Sequence, residues 1–491
     1  MDEKPRSAWM GRTLESLKTF RAVLGADLKT LQYHSAEGRG FMYRLLPLLL
    51  IALAGLAYGE EFTSPNNLTE QCRIPRPMPG VTLSKGDQAK EKELCGIDFY
   101  GGAVALCPKT WSTSAAVMVY DIKGSGLAPQ AYESQRCGTR EGHERLAKFK
   151  MTMNQRNTSG TMSNSALMYY VLSRYLDTLV EVPVAVYRTI DKEVLDKRVA
   201  AHASGQGSMN RSAWEWVRTA VRNPSAYVPT DDLFTADRQQ IYGVLLDDKG
   251  ARYGVEINGP RKAAWGAPQS REFQTTPAFT ALRRDATLAS AIAGAPYPAQ
   301  QMVFWMRELS EIAVLDHIFS QQDRVGNIDY VWRWYWVDAD GKVQHDKVHS
   351  KVPRSRMNSL VVPDELRQFH PLLLQRTWIG DNDAGLSRRY ANFSAQTGMV
   401  SNLRHFDAGV YRRLMALSHD FQQRGPMSDF LAGENGLKPA QLELMMKNTI
   451  DVAGILEANC RSGKLRFDLN PMKFLKGEPT EESVDCSGAG G

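Results

Sequence analysis

The chain has 491 residues, of which 43% are hydrophobic, and its formal net charge is +6. This apolar content is sufficient for one large domain with elaborations or for two domains. The charges are dispersed along the chain, which is not the pattern of a nucleic-acid-binding protein, so we expect no nucleic-acid partner.

The first 59 residues have the pattern of a targeting segment. Arg44 precedes an apolar run, and the small residues Ala57 and Gly59 follow it before two glutamates. This order is typical of a signal peptide, here at about residues 42–59. The run is shorter than the roughly 20 apolar residues that cross a bilayer. We therefore expect residues 60–491 to be exported to the periplasm, the medium or a secretory-pathway lumen.

The true start of the chain is expected at Met42, just before the apolar run, so that residues 1–41 would not be translated. The alternative is that residues 1–41 form a cytosolic tail in front of a signal anchor. In that case the uncleaved N-terminal segment would be the only contact that we expect with a membrane.

All six cysteines follow the predicted cleavage site. They are Cys72, Cys95, Cys107, Cys137, Cys460 and Cys486. An even number of cysteines in an exported chain predicts disulfides, up to three here, and the sequence does not choose among the fifteen pairings. No Cys-x-x-Cys pair is present, which disfavours a zinc ribbon or a thioredoxin-type site.

The first part of the exported chain is predicted to be an irregular extension followed by a lobe of strands. Residues 60–112 are rich in Pro, Gly and Cys and form the Cys-containing extension. Residues 113–190 form the lobe. Its predicted elements are a strand at 115–122, a turn at 123–126, a strand at 145–151, a helix at 163–176 with Ser163 as N-cap, and a strand at 182–188.

Residues 191–300 are predicted to hold a polar helical insertion and a hairpin. The hairpin consists of strands 241–246 and 253–257, joined by a turn at 247–250.

Residues 301–463 are predicted to form a mostly helical lobe, and residues 464–491 a tail closed by Cys486. The lobe contains an amphipathic helix at 301–319, a hairpin of strands 330–337 and 342–344, a buried strand at 372–379, and helices over 402–460. Trp332, Trp334 and Trp336 have strand spacing, which predicts one packed sheet face rather than a ligand platform.

Two polar loops in this helical lobe carry the residues of interest. Helix 301–319 leads into a loop with Asp323 and Asn327, and strand 372–379 leads into Asp381-Asn-Asp383-Ala-Gly385. A helix, an Asp-Arg-x-x-Asn loop, strands and an Asp-x-Gly are the order in which protein kinases present their phosphotransfer residues. Neither His-Glu-x-x-His nor Gly-x-Ser-x-Gly occurs, so metalloprotease and hydrolase functions are not indicated.

Phosphoryl transfer requires a base beside the attacking hydroxyl, hard oxygen ligands for Mg²⁺ and a cation on the phosphates. The candidates are Asp323 as base, Asn327, Asp383 and Asp381 as metal ligands, Lys148 and Lys150 as phosphate-binding cations, and Gly124 and Gly126 as a phosphate loop.

Each candidate also has an ordinary structural alternative. Asp323 and Arg324 are consistent with a solvated ion pair, and residues 381–385 with a simple turn. Lys148 and Lys150 are consistent with the exposed face of an edge strand, and the Gly-Ser-Gly turn with a plain connection.

These motifs, taken in order, resemble the atypical kinase superfamily, in particular the secretory-pathway kinases (the Golgi casein kinase and four-jointed group) and the bacterial HipA-type kinases. Leu146-Ala-Lys-Phe149 is similar to the HipA-type lysine strand, and residues 172–188 to the helix and following strand of the secreted group. Residues 322–328 resemble the catalytic loop, and residues 379–385 the metal-binding Asp segment. The resemblance covers roughly residues 115–420.

The resemblance implies an α+β, two-lobed protein-kinase-like fold with a small mostly-β lobe and a larger mostly-α lobe. It also implies ATP with Mg²⁺ or Mn²⁺ as cofactor, and transfer of phosphate from the nucleotide to a hydroxyl of a protein or glycan acceptor.

Three departures from the kinase pattern point to a second hypothesis. In many kinases with this loop the Asn lies five residues after the catalytic Asp, but Asn327 lies four after Asp323. Helix 163–176 has no Glu to pair with the lysine, and Val325 stands where a His is expected. The alternative function is therefore a catalytically inactive pseudokinase that binds a partner protein or a carbohydrate. The fold does not depend on these departures.

Overall fold

The computed structural model describes residues 59–137, 144–203, 207–247, 250–348, 360–433 and 436–486. The predicted signal peptide lies outside these ranges except for its last residue, Gly59. Within them, none of the helices combines the length and the apolar content that a membrane crossing requires.

Seven strands form the antiparallel sheet of the small lobe, residues 59–247, in the order β1-β2-β6-β7-β5-β4-β3. These strands are β1 (Gly59–Thr63), β2 (Thr69–Arg73), β3 (Val104–Pro108), β4 (Val117–Asp121), β5 (Glu144–Met151), β6 (Ala185–Asp191) and β7 (Gln240–Leu246). The accompanying helices are α1 (Lys85–Cys95), α2 (Pro129–Arg136), α3 (Ser163–Leu176), α4 (Lys192–Val194) and α5 (Ser208–Arg222). Shorter helical turns lie at Leu195–Val199, Ala200–His202, Pro224–Ala226 and Thr230–Asp232.

Residues 60–112 are more regular than the sequence predicted, because they supply strands β1 to β3 and helix α1. Strand β2 has the polar sequence Thr-Glu-Gln-Cys-Arg, and only Glu70 and Cys72 of it are buried. Since these inward positions hold a carboxylate and a disulfide cysteine, no apolar alternation marks the strand in the sequence.

The hairpin predicted at 241–257 is wrong. Strand β7 lies inside the small-lobe sheet, paired with β5 on one side and β6 on the other. The segment predicted to be its partner contains the two-residue strand β8 (Ala251–Arg252), which pairs with β9 (Ile328–Val337) in a different sheet. A helical turn follows β8. The chain therefore passes from the small lobe to the large lobe between β7 and β8, and the partners of β7 are distant from it in the sequence.

Helix α3 has the predicted bounds, Ser163–Leu176. Its N-cap, however, is Met162, which makes no side-chain capping bond. Ser163 is the first helical residue, and its Oγ lies 2.9 Å from Thr152 Oγ1. The capping role predicted for Ser163 is thus replaced by a contact to the end of the lysine-bearing strand β5.

The large lobe spans residues 250–486 and is mostly helical. Its helices are α6 (Val255–Asn258), α7 (Ala267–Phe273), α8 (Pro277–Leu282), α9 (Leu288–Ile292), α10 (Ala299–Phe319), α11 (Phe393–Gln396), α12 (Ala408–Gln423), α13 (Pro426–Gly433), α14 (Pro439–Arg461) and α15 (Pro471–Leu475), with a 3₁₀ turn at Asp364–Phe369. A parallel pair, β12 (His405–Phe406) and β13 (Arg466–Phe467), lies among them. The predicted α+β class and the division into two lobes are confirmed.

Helix α10 is buried on all sides rather than amphipathic, since every residue from Gln301 to Phe319 is buried. Its charged side chains are paired inside the protein: Arg307 with Glu311, Glu308 with Arg376, and Asp316 with Arg324. Buried charges are tolerated when they are paired and hydrogen-bonded. The helix therefore forms the centre of the large lobe.

The second sheet brings the two polar loops together. It contains β8, β9 (Ile328–Val337), β10 (Val343–Lys347) and β11 (Leu372–Ile379), so the predicted hairpin and buried strand are confirmed. Trp332 and Trp334 are buried in it. The antiparallel register pairs Ile379, at the end of β11, with Ile328, at the start of β9. The loop before β9 and the loop after β11 consequently meet at one edge of the sheet.

All six cysteines form disulfides, as predicted. The pairs are Cys72–Cys95, Cys107–Cys137 and Cys460–Cys486, so the tail is closed onto the end of α14. Three disulfides are typical of a protein that folds in an oxidising compartment.

Candidate active site

A cleft of about 500 Å³ lies between the two lobes. Its small-lobe wall consists of the β3–β4 loop, strand β5 and the segment before α3; its large-lobe wall consists of β8 and the two polar loops. The residues that line it include Lys109, Ser112, Thr113, Ser114, Lys150, Thr158, Ser159, Gly160, Thr161, Met209, Arg252, Trp265, Gln322, Asp323, Asn327, Asp381, Asp383 and Ala384. The predicted base, the predicted metal ligands and Lys150 thus share one cavity.

Lys148 and Lys150 lie on an interior strand, because β5 pairs with β4 on one side and with β7 on the other. Both side chains are buried and reach across to the large lobe. Lys150 Nζ lies 2.5 Å from Asp383 Oδ1 and 2.9 Å from Asp381 Oδ1, and Lys148 Nζ lies 3.2 Å from Asp381 Oδ1. The alternative of an exposed edge-strand face is therefore wrong.

Residues 381–385 are not a solvated turn, because Asn382 and Asp383 are each only 2% exposed. The backbone of the loop is held by α3: Met162 N donates to Asp383 O at 2.7 Å, and Ser165 Oγ donates to Asn382 O at 2.7 Å. A Cβ on Gly385 would lie 2.6 Å from Ser165 Oγ, so this approach requires glycine.

Arg324 and Asp323 do not form a solvated ion pair. Arg324 is buried, and it bonds Asp316 of α10 and, at 2.8 Å, Asn382 Oδ1. Asp316 also accepts a bond from Tyr169 of α3 at 2.8 Å. Arg324 therefore anchors the loop to the core, and Asp323 is left facing the cleft. No separate role was predicted for Asn382, but its amide joins the two loops.

A backbone hydrogen bond joins the loop of Asp323 to the loop of Asp383. Gln322 N donates to Ala384 O at 2.9 Å. Gln321 Oε1 accepts from Asp323 N at 3.1 Å, and Asn327 Nδ2 donates to Asp323 O at 2.6 Å. These bonds fix the main chain on both sides of the Asp323 carboxylate.

The surroundings of Asp323 and Asp381 shift the pKa values of these two carboxyl groups in opposite directions. Partial desolvation raises the pKa of Asp323, and the neighbouring charge of Asp381 raises it further, against a hydrogen bond from Asn327. Burial would also raise the pKa of Asp381, but Lys148, Lys150 and the more distant Lys109 hold that pKa well below its usual range. Asp381 is therefore a fixed anion, whereas Asp323 is better suited to accept a proton.

The donors of the cleft fit a metal ion that arrives with a nucleotide. Asp383 Oδ2 is buried and has no hydrogen-bond partner among the described residues. In the described ranges, no three His, Cys, Asp or Glu side chains are grouped so that they could hold a metal by themselves. Mg²⁺ usually takes only one or two protein carboxylates and completes its shell with phosphate oxygens and water. Asp383 Oδ2 is the oxygen that could serve such an ion, and the predicted ligands Asp381 and Asn327 line the same cleft but are bonded to cations of the protein.

Gly124 and Gly126 do not line the cleft. Their turn follows β4 at the end where Asp121 pairs with Glu144, six residues, or about 20 Å of extended strand, from Lys150. The β3–β4 loop, residues 109–116, lies at the opposite end of the strands and does line the cleft. Its Ser- and Thr-rich sequence between two short apolar runs is the signal that could have identified it.

Helix α3 contributes no carboxylate to the lysines, since its sequence contains no acidic residue. Asn164, in the first turn, donates to Gly436 O at 2.7 Å, and Ser165 is bonded to Asn382. The acids that contact Lys148 and Lys150 come from the large lobe instead.

No protein-family model and no curated protein matches the chain. Solved structures similar to it include hydra Fam20 with sugar, which covers 74% of this chain and 88% of its own, at 10% identity and a TM-score of 0.38. The Golgi casein kinase with Mn/ADP bound covers 77% and 78%, and a second structure of the Golgi casein kinase covers 88% and 94%, both at 10% identity and a TM-score of 0.38.

The predicted resemblance to the Golgi casein kinase group is thus confirmed as a structural likeness, whereas none of these three structures is of the HipA type. At this identity and TM-score the likeness assigns neither an activity nor a substrate to the chain.

Proposed function

We propose that this chain is an exported atypical kinase that transfers phosphate from a nucleotide to a hydroxyl of a protein or glycan. The observation that carries the proposal is the convergence of Lys150, Asp323, Asn327, Asp381 and Asp383 on one interlobe cleft. These residues come from three segments that are distant in the sequence. They supply the base, the hard oxygen donors and the cation that phosphoryl transfer requires.

In this proposal Lys150 and Lys148 bind the phosphates of the nucleotide. Both lysines are now paired with Asp381, so bound phosphates would share or replace these ion pairs. Asp383, whose Oδ2 has no hydrogen-bond partner among the described residues, holds the divalent cation, and Asp381 and Asn327 line the same cleft. The cation would neutralise phosphate charge when it is bound.

Asp323 orients the acceptor hydroxyl and takes its proton. The acceptor oxygen forms a bond to the terminal phosphorus, the bond from that phosphorus to the bridging oxygen breaks, and the nucleoside diphosphate leaves. The raised pKa of Asp323 makes its carboxylate a better proton acceptor than an ordinary aspartate.

Export belongs to the same proposal. The three disulfides require an oxidising compartment to persist, and the apolar run before Gly59 provides a route to one. A secretory lumen, or delivery into a host cell, would supply ATP. A bacterial periplasm is expected to be poor in ATP and would favour the inactive alternative.

The second candidate function is a pseudokinase that binds a partner protein or a carbohydrate. It is favoured by the acid-free helix α3 and by the pairing of Lys148 and Lys150 with Asp381. In protein kinases a helix carboxylate commonly pairs with the phosphate-binding lysine, and α3 supplies no such group.

Nucleotide binding is the first test. Thermal unfolding of the purified protein should shift upward with ATP or ADP in the presence of Mg²⁺ or Mn²⁺, and less in EDTA, because ligands that bind only the native state stabilise it. The absence of a shift under every condition would exclude the kinase and leave the partner-binding alternative.

The second test distinguishes the kinase from the pseudokinase. In an active kinase, Asp323→Asn should lower autophosphorylation and nucleotide hydrolysis by roughly 10²–10⁴-fold, because general-base catalysis contributes about that much. Nucleotide affinity should stay within a few-fold, since the base acts in the transition state. Asp340→Asn, an exposed aspartate in the β9–β10 turn, is the matched control. Equal, nonzero activity in wild type and Asp323→Asn would remove Asp323 from the catalytic site.

A further inference from the structure

Arg252 lies in the cleft between two of the predicted metal ligands, Asn327 and Asp381. It belongs to β8, a two-residue strand that follows the crossing from the small to the large lobe. The β8–β9 register pairs Arg252 with Asp329, two residues after Asn327. The backbone of Arg252 is thereby fixed beside the catalytic loop, and its side chain, 51% exposed, lines the cleft.

The guanidinium group joins two of the predicted metal ligands. Its Nη1 donates to Asn327 Oδ1 and to Gly326 O, and its Nη2 lies 3.4 Å from Asp381 Oδ2. Its Nε lies 4.0 Å from Asp329 Oδ1. A single planar cation therefore spans the gap between the catalytic loop and the loop after β11, which matches the fork geometry of arginine.

Lys148, Lys150 and Arg252 contact both oxygens of Asp381 but only one oxygen of Asp383. Asp381 has Lys148 and Lys150 at Oδ1 and Arg252 at Oδ2. Asp383 has Lys150 at Oδ1, while its Oδ2 is buried and lacks a hydrogen-bond partner among the described residues. Of these two carboxylates, it is therefore Asp383 that has an oxygen without a hydrogen-bond partner among the described residues.

We propose that Arg252 replaces the second metal ion, so that this chain binds nucleotide with one divalent cation, held at Asp383. Protein kinases commonly hold two Mg²⁺ ions, one at the Asp of Asp-x-Gly and one at the Asn of the catalytic loop. Here the amide of Asn327 is bonded to a permanent positive charge, and a divalent cation would meet like-charge repulsion there. This inference rests on the proposed function, because it concerns the metal requirement of that same nucleotide site.

The test is the number of Mn²⁺ ions bound with ADP, measured by titration calorimetry and by electron paramagnetic resonance of free Mn²⁺. Wild type should bind one Mn²⁺ per ADP. Arg252→Gln, which removes the charge, should bind two, or should gain a second Mn²⁺ with at least tenfold higher affinity than any weak second ion in wild type. Arg218→Gln, which removes an equal charge from the exposed face of α5, should bind one.

A second pair of variants keeps the inference testable if Arg252→Gln folds poorly. In a one-metal site, Asn327→Ala should leave Mn²⁺ affinity in the presence of ADP within threefold of wild type, and Asp383→Ala should lower it tenfold or more. Two Mn²⁺ ions per ADP in wild type, or equal losses in both variants, would overturn the role of Arg252 while nucleotide binding stands. Failure of ADP to bind at all would overturn the proposed function and this inference with it.

Discussion

Asp381 and Asp383 lie two residues apart in one loop but have different surroundings. Asp381 is 22% exposed on its side chain, and both of its oxygens face cations of the cleft. Asp383 is almost completely buried, with one oxygen on Lys150 and the other without a hydrogen-bond partner among the described residues. In the proposed function, therefore, Asp381 positions the lysines and Asp383 is the metal ligand.

Replacing these two carboxylates separately tests that division of roles. Asp383→Ala should weaken metal-dependent nucleotide binding tenfold or more, about 1.4 kcal/mol, because it removes the oxygen that has no protein partner. Asp381→Ala should instead weaken binding in metal and in EDTA alike, since it releases Lys148 and Lys150 from their fixed positions. Calorimetry with ADP, with and without Mg²⁺, measures both effects. A loss confined to Asp381→Ala would reverse the assignment, and no loss in either variant would make the loop purely structural.

At the scale of elements, the pairing of β9 with β11 brings the two loops of the candidate site together. The order of helix, loop, strands and loop in the sequence was enough to predict that Asp323 and Asp383 belong together, because both loops adjoin strands with clear apolar runs. The bounds of α3 and β11 could also be predicted, since α3 has apolar residues at helical spacing and β11 begins with an apolar run.

The partners of β7 and the role of Arg252 could not be predicted from the sequence. Residues 247–250 favour a turn, which suggested a local hairpin, but turn chemistry does not specify whether the flanking strands pair with each other. Strand β7 is apolar and buried along nearly its whole length. The interior of the sheet, between β5 and β6, covers both faces of this strand, which a local hairpin would not do. Arg252 gains its contacts only through the pairing of β8 with the later strand β9, and such long-range register leaves no trace in a single sequence.

The Cys107–Cys137 disulfide joins β3 to the end of α2 beside a small separate core. That core contains Ala105, Met118, Tyr120, Ile122 and Tyr132. Replacing both cysteines by Ala should lower the free energy of unfolding by roughly 3–4 kcal/mol, because the bridge closes a loop with a sequence separation of 30. Nucleotide affinity should fall too, since β3 leads directly into the cleft loop 109–116. Denaturant unfolding and calorimetry measure the two effects.

The Cys460–Cys486 disulfide is the matched comparison, with a similar sequence separation of 26. Without this bridge the end of the tail gains conformational freedom in the native state as well as in the unfolded chain. The entropy gained by the native state offsets part of the entropy gained by the unfolded chain. The variant without this bridge should therefore lose less stability and should bind nucleotide as wild type does. Equal losses in both variants would show that the tail is as integral to the fold as β3.

At the scale of the whole molecule, both lobes contain buried carboxyl groups, and burial disfavours their ionised form. Burial raises the pKa of Glu70, in the small lobe, and of Glu308, in the large lobe, to about 7 each, against neighbouring hydrogen bonds and arginines. Burial also raises the pKa of Glu91 and of Glu311. Between the ordinary glutamate pKa and these raised values, the folded protein holds more protons than the unfolded chain. Stability from Glu70 and Glu308 is complete below about pH 4.5 and is lost as the pH rises through about 7, and stability from Glu91 and Glu311 likewise falls as the pH rises.

Glu91 allows this whole-molecule effect to be measured with one substitution. It lies on α1, is 3% exposed, and accepts a 2.8 Å bond from Tyr170 of α3. Burial raises its pKa more than that bond lowers it. A glutamine can accept the same bond without a charge, so Glu91→Gln should be more stable than wild type at pH 8 by on the order of 1 kcal/mol, and the gain should be smaller at pH 5. Urea unfolding at both pH values, with Glu93→Gln on the exposed side of α1 as control, provides the measurement. If Glu91→Gln were no more stable than wild type at pH 8, the buried charge would not be a cost, and the predicted fall in stability between pH 5 and pH 7 would have to come from other groups.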